Sequence, residues 1–256
     1  MEKIKKIVRD GYAKAVKQAT SCCSSGSCCS GISQAKIMSK TVGYSDAEIN
    51  AVPEGANLGF GCGNPVALAS LKEGDVVLDL GSGAGFDAFL AAKRVGKTGR
   101  VIGVDMTPEM IAKAKENAKK GKYCNVEFRL GEIEKLPVED SSIDVIISNC
   151  VINLSPDKET VFNEAHRVLK PNGRLMVSDL VLAKELPSAI KKSVEAYVGC
   201  LAGAIKKGEY LELINMAGFK DVKIISESSY PVDAMFDTLE AAQDAVVSIK
   251  VSAIKR

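Results

Sequence analysis

Apolar positions recur along the chain in two rhythms, and the change from one to the other divides it. Over residues 2–19, Ile4, Ile7, Val8, Tyr12, Ala15, Val16 and Ala19 fall at the spacing of one helical face, which predicts an amphipathic helix. From residue 75 short apolar runs take over, and 76–80, 100–104, 126–130, 143–148 and 174–182 read as strands with helical segments between them. Two of those helices have marked starts. In Thr107-Pro108-Glu109 and Ser155-Pro156-Asp157 a capping hydroxyl precedes a proline that suits the first helical turn. Strands and helices alternating at this spacing predict an α/β fold, a mostly parallel twisted sheet with helices on both faces. The last third adds helices over 187–199 and 208–217 and strands over 220–226 and 246–254.

Between the first helix and the regular region lie two stretches without that patterning. TSCCSSGSCCS places Cys22, Cys23, Cys28 and Cys29 in a Ser/Gly loop, and PEGANLGFGCGNP holds Cys62 among glycines that imply tight turns. Asn64-Pro65 is an N-cap and first helical position, so a short helix is expected over 65–71. The chain therefore reads as three parts: residues 1–70 with a helix and thiol-bearing loops, 71–182 as a Rossmann-like core, and 183–256 with further helices and the final strands.

Composition narrows the partners. Hydrophobic residues make up 46% of the 256 and charged residues 26%, a globular balance. The net charge of +2 argues against nucleic acid as the main partner, which leaves a small molecule. No apolar run is long enough for a signal peptide or a membrane span, so a cytoplasmic protein is expected. Its eight cysteines are then thiols rather than structural disulfides. The opening quartet reads C-C-x4-C-C, without the C-x-x-C spacing of zinc ribbons or thioredoxins.

The first strand runs into Asp79-Leu80-Gly81-Ser82-Gly83-Ala84-Gly85-Phe86, where glycines let a ligand approach the backbone at the opening of a helix. A dinucleotide fingerprint would need glycine at 86, which is Phe. The pattern instead resembles motif I of the class I S-adenosylmethionine-dependent methyltransferases. Asp105 ends the second strand, where a carboxylate can accept ribose hydroxyls, and Gly131-Glu132-Ile133-Glu134 follows the third strand, placed to flank an adenine. The cofactor-binding set expected from this resemblance is Tyr12, Asp79, Gly81, Ser82, Gly83, Gly85, Asp105, Met106, Ile133, Glu134 and Asn149.

Cys150 follows the fourth strand directly and should face the same crevice as the glycine loop. Together NLGFGCGNP, DLGSGAG, GVDM, GEIEKLP, SNCVINLSPDK, RVLKPNGRLMVSD and YVGCLAGA resemble the arsenite S-adenosylmethionine methyltransferases over most of residues 50–220. That resemblance implies that Cys62, Cys150 and Cys200 bind trivalent arsenic and are the catalytic residues. It also implies thiol exchange by one of Cys22, Cys23, Cys28 and Cys29, although the doubled pairs leave open which. The chemistry is consistent. Trivalent arsenic is soft and prefers sulfur, and three sulfurs leave its lone pair free as the nucleophile, so no general base is needed. Alignment of the reactants is worth roughly 7–11 kcal/mol in favourable cases. Methylation oxidises arsenic formally to the pentavalent state; two thiols closing a disulfide return it to the trivalent state, and a thioredoxin- or glutathione-type reductant reopens the disulfide.

Other readings stay open. The quartet would also suit zinc, copper or metal scavenging, Cys124 reads as incidental, and His166, the one histidine, as a surface or capping residue on a helix. Tyr12 is core packing or part of a lid. A carbon or oxygen methyltransferase with structural cysteines, and an arsenic-binding protein without turnover, are the rival functions.

Overall fold

The computed structural model of the chain describes residues 2–20, 29–65, 70–191, 193–230 and 245–256. The strands are β1 (Val76–Leu80), β2 (Arg100–Asp105), β3 (Val126–Leu130), β4 (Ile143–Asn149), β5 (Leu169–Leu182), β6 (Lys220–Ser229) and β7 (Val246–Ile254). They form one sheet in the order β3-β2-β1-β4-β5-β7-β6. The first five are parallel, and β7 runs antiparallel to both β5 and β6. All the expected strands are present, β5 beginning five residues earlier than expected and β6 ending three later.

The described helices are α1 (Glu2–Thr20), α2 (Cys29–Thr41), α3 (Asp46–Ala51), α4 (Phe86–Val95), α5 (Pro108–Lys120), α6 (Lys158–Val168), α7 (Ser188–Lys191), α8 (Val194–Val198) and α9 (Lys207–Met216). Alternation along the strands assigns them to faces. Leu78, Leu80 and Ile102 pack with Phe162 of α6 and Tyr210 of α9, whereas Val77, Val101 and Val145 pack with Phe89 of α4 and Ile111 of α5. Both faces of the parallel strands are thus buried, which is why these strands read as near-continuous apolar runs. A third cluster gathers Val8 of α1, Cys62, Cys150, Leu180 and Cys200 beyond the sheet.

Local chemistry departs from expectation in four places. Between the cysteine quartet and residue 53, where no element was expected, lie most of α2 and all of α3, and α3 opens on a capping box in which Ser45 and Glu48 satisfy each other's backbone N–H groups. The helix expected over 187–199 is described as α7 and α8, because the Ser193 hydroxyl accepts the Ala196 N–H and starts a new helix. Thr107 precedes α5 without a side-chain cap; its backbone N–H is instead bound by the Asp105 carboxylate at 2.8 Å. The cap of α6 is Asp157, which accepts from Thr160, while the Ser155 hydroxyl turns to Glu134 at 2.6 Å. Residues 66–69, where most of the helix after Asn64-Pro65 would lie, fall outside the described residues.

Phe162 is fully buried and meets Tyr210 edge to face with ring centroids 5.4 Å apart. Phe162→Ala should cost about 3–5 kcal/mol of stability, measured by urea unfolding, because the cavity would open between two helices and the sheet.

Candidate functional site

The glycine loop leaves β1 and enters α4 at Gly85, whose backbone is left-handed at φ 99°; a Cβ there would lie 2.6 Å from the Phe89 ring. Above this loop, over the carboxyl ends of the parallel strands, opens a cavity of about 830 Å³. That is within the range of small-molecule and cofactor sites. Tyr12, Asp79, Gly81, Ser82, Gly83, Asp105, Met106, Ile133, Glu134, Asn149, Cys150 and Cys200 all line it. Two of the expected residues do not. Gly85 shapes the turn beneath, and Cys62 stands behind Gly61, its sulfur against Cys150 and Asp179.

The polar groups of the cavity are of two kinds. Asp105 is already engaged, accepting from Gly83 N–H at 3.0 Å and from Thr107 N–H, so it braces the glycine loop while keeping lone pairs toward the cavity. Burial nevertheless pushes its carboxyl above the ordinary range. Asp79 is not fully engaged: Oδ2 is buried and has no partner, and neither has the Ser82 hydroxyl. Burial and the neighbouring Asp87 carboxylate hold Asp79 well above the usual carboxylate range, and burial raises Asp87 as well. A buried acid pair with an open oxygen, facing a cavity, suits a ligand that carries a cationic group. An amino-acid-bearing nucleoside such as S-adenosylmethionine carries a group of that kind on its amino-acid part.

Helix α1 crosses the outside of the cavity. Lys5 pairs with Glu132 at 2.7 Å and with Glu134 at 3.2 Å, and the Tyr12 hydroxyl donates to the Val198 carbonyl at 3.2 Å. Tyr12 also meets Phe60 edge to face, with ring centroids 5.4 Å apart. It serves both as packing for the third cluster and as cavity wall.

The thiols come from three separate segments. Cys150 follows β4 in left-handed backbone at φ 57°, its N–H bound to the Ser178 carbonyl at 2.8 Å. Cys200 follows α8, also left-handed at φ 65°, with Sγ 2.6 Å from the Cys150 carbonyl oxygen. Such backbone costs on the order of 1–3 kcal/mol per non-glycine residue, a strain that accumulates at functional sites. Cys62 Sγ, Cys150 Sγ and an Asp179 oxygen lie within 4.8 Å of one another. All three cysteines are free thiols, 2%, 8% and 4% exposed in chain order. Burial raises Cys62 to about 11 and Cys150 well above the ordinary thiol value, and Cys200 is raised first by Cys150 and then by burial. At neutral pH the cluster is therefore held as protonated thiols. Neutral thiols still condense with neutral arsenous acid, because each As–S bond formed releases one water and no net proton.

Asp179, Tyr44 and Asp87 were not anticipated. Asp179 is fully buried and accepts from Asn153, Leu180 N–H and the Tyr210 hydroxyl at 2.9, 3.0 and 3.0 Å. Its signal was an acid interrupting the apolar run of β5. Tyr44 donates to Asp87 at 2.6 Å, a contact across 43 residues for which the sequence carries no local sign. Of the opening quartet, Cys29 begins α2, and Cys22, Cys23 and Cys28 lie outside the described residues. Cys124 is exposed, on the rim of a separate surface depression. His166 packs edge to face on Phe219, away from the cavity.

A mostly parallel seven-strand sheet between helices, with a cofactor-sized cavity at the strand ends, is the class I Rossmann-like methyltransferase fold. Residues 71–218 match the family described as methyltransferase domain. The arsenite methyltransferase of Halobacterium salinarum is 47% identical over 231 residues, 87% of this chain and 59% of that protein. That of Aquipseudomonas alcaligenes is 41% identical over 182 residues, 68% of this chain and 52% of that protein. The crystal structure of an arsenic(III) S-adenosylmethionine methyltransferase from Chlamydomonas reinhardtii superposes with a TM-score of 0.68 at 33% identity, covering 86% of this chain and 73% of that one. The chain belongs to the arsenite methyltransferase family of S-adenosylmethionine-dependent methyltransferases. It spans between half and three fifths of the length of the two curated relatives.

Asp179 is raised by burial to about 7. Folding therefore favours its protonated form: this contribution to stability is complete below the unfolded carboxylate pKa and is lost as pH rises through about 7. The loss amounts to roughly 4 kcal/mol at most. In Asp179→Asn the decline in stability of the unliganded protein between about pH 4 and pH 8 should shrink, as measured by urea unfolding across that range; an unchanged profile would remove Asp179 as its source.

Proposed function

We propose that this protein transfers a methyl group from S-adenosylmethionine to trivalent arsenic bound by Cys62, Cys150 and Cys200. The observation that carries the reading is that three buried thiols from separate segments share one apolar cluster, with the Cys62 and Cys150 sulfurs within 4.8 Å of each other and Cys150 and Cys200 lining the cavity over the glycine loop. Bound S-adenosylmethionine supplies an electrophilic methyl on a sulfonium. Asp79, backed by Asp87, would hold its ammonium, and Gly81, Ser82, Gly83 and Gly85 let the backbone come close. Asp105 would take the ribose hydroxyls, and Ile133 and Glu134 would flank the adenine. Tyr12, Met106 and Asn149 complete the wall.

The thiols do the remaining work. Thiolate is the attacking form, so capture is slow where all three thiols are protonated and quickens with rising pH. Three sulfurs that displace three hydroxyls release three waters and leave the arsenic lone pair uncommitted, so that it can face the cavity that Cys150 and Cys200 line. No side chain has to remove a proton, in keeping with the absence of histidine from the cavity lining. The apolar neighbours Val8, Leu154 and Leu201 keep water from competing with sulfur.

The same reading assigns the quartet Cys22, Cys23, Cys28 and Cys29 to arsenic capture and disulfide exchange, with a thioredoxin- or glutathione-type reductant restoring the thiols. Residues 1–70 then act as the thiol-bearing cover, 71–182 as the cofactor core and 183–256 as the segment that brings Cys200. Arsenic detoxification in the cytoplasm is the role this chemistry serves.

Incubation with arsenite, a thiol reductant and S-adenosylmethionine should convert arsenite to methylated arsenicals, read by arsenic speciation. Cys150→Ser and Cys200→Ser should abolish conversion of both arsenite and monomethylarsonous acid. Cys62→Ser should lose far more on arsenite, which has three sites for sulfur, than on the monomethyl species, which has two. Methylation that survives Cys150→Ser would leave the cysteines structural and sink the reading.

A further inference from the structure

Cys62 projects its thiol into the cluster from a loop that has little regular structure of its own, so its direction has to be set from outside. The Ser248 hydroxyl donates to the Cys62 carbonyl at 2.8 Å. The Cys62 N–H donates to Asn149 Oδ1 at 3.1 Å. With both peptide groups held, the thiol comes to rest 3.5 Å from the Ser178 carbonyl. Asn149 reaches the loop closely enough that a Cβ on Gly61 would fall 2.8 Å from its Nδ2, and Gly61 is left-handed at φ 126°. Only glycine permits that approach.

The orientation of Asn149 is itself fixed. Its Nδ2 donates to Asp87 Oδ2 at 3.0 Å and to the Tyr44 hydroxyl at 2.9 Å, while Tyr44 donates to Asp87 Oδ1 at 2.6 Å. A flip of the carboxamide would turn its oxygen toward the Asp87 carboxylate and its NH₂ toward the Cys62 N–H, breaking its bonds to Asp87 and to Cys62 at once. Asp87 thus dictates which end of Asn149 faces Cys62.

We infer that Asn149, locked by Asp87 and Tyr44, is the positioning residue that aims Cys62 into the arsenic cluster, and so sets the preference for inorganic arsenite over monomethylated arsenic. This rests on the proposed reading of the three thiols as the arsenic site. Asn149 is well placed for it because it ends β4, one residue before Cys150. The register that presents Cys150 from its own backbone therefore also presents, through one carboxamide, the loop that carries Cys62. Asp87 and Asn149 both line the cavity, so the same network joins the cofactor wall to the first arsenic ligand. Loss of the network should loosen one sulfur of three. Inorganic arsenite needs that sulfur, and a monomethylated arsenical, with one valence already filled by carbon, does not.

The test compares wild type, Asn149→Ala and Tyr44→Phe as full chains. The readouts are kcat/KM for arsenite and for monomethylarsonous acid at one cofactor concentration, together with arsenic K-edge absorption of the arsenite-loaded proteins. Both reactions use the same cofactor, so any loss of cofactor affinity cancels in the ratio of the two constants. In Asn149→Ala that ratio should fall roughly tenfold, as expected for loss of one positioning hydrogen bond, with a smaller fall in Tyr44→Phe. The number of As–S neighbours should drop from three in wild type to two in Asn149→Ala. Should Asn149→Ala fail to fold, Tyr44→Phe decides by the same ratio, since it keeps the ring packed on Phe86. A ratio equal to wild type, or three sulfurs retained, overturns the positioning role. Wild type without arsenic–sulfur neighbours would overturn the three-thiol reading itself, an outcome the wild-type sample alone reveals.

Discussion

In the parallel pair of β1 and β4, Leu80 stands opposite Ser148. From that pairing the glycine loop leaves one strand and Asn149-Cys150 leaves the other, side by side at the same edge of the sheet. The strand order reverses between β1 and β4, which opens the crevice that α/β sheets use for ligands. A slip of one residue in this register would turn Leu78, Ile146 and their neighbours to the wrong face. The two clusters of buried side chains that sandwich the sheet therefore secure the cofactor loop and the first thiol together.

The electrostatics of the cavity follow from burying acids and thiols whose desolvation outweighs the nearby positive charge; Lys158 opposes the rise of Asp179 only in part. Asp79, Asp87, Asp105 and Asp179 are all pushed upward, and so are the three thiols. Hydrogen bonds from Gly83, Thr107, Tyr44 and Asn149 offset part of the cost for Asp105 and Asp87, whereas Asp79 keeps an oxygen with no partner. The interior thus favours a cationic ligand at one end. At the other it favours a neutral, soft one, since protonated thiols repel nothing and desolvated sulfur gains by bonding to a soft centre. A positively charged sulfonium compound and neutral arsenous acid match those two ends.

Much of this architecture was legible in the residues. Strands buried on both faces are written as plain apolar runs, and all seven appeared where the pattern put them, within a few residues. The glycine loop and Asp105 were legible because backbone approach and strand ends leave local marks. Cys150 was legible because it follows β4 directly. Hydroxyls before prolines were misleading: α5 has no side-chain cap, its Thr107 being held through the backbone N–H by Asp105, and α6 is capped by Asp157 while the Ser155 hydroxyl bonds Glu134. The Ser45-Glu48 capping box was readable and went unread within a polar segment. Tyr44 and Asp87 had no local sign at all, since what makes them matter is a hydrogen bond between residues far apart in sequence.

The central claim is that one arsenic atom sits on Cys62, Cys150 and Cys200 with its lone pair toward the cofactor. A crystal structure with arsenite and S-adenosylhomocysteine, the arsenic located by its anomalous scattering, measures this directly. The account predicts a single strong arsenic peak within bonding distance of all three sulfurs, its open side facing the cofactor's sulfur across the gap that a methyl group would fill. Arsenic bound elsewhere, or bound to these sulfurs with its open side turned from the cofactor, would contradict it.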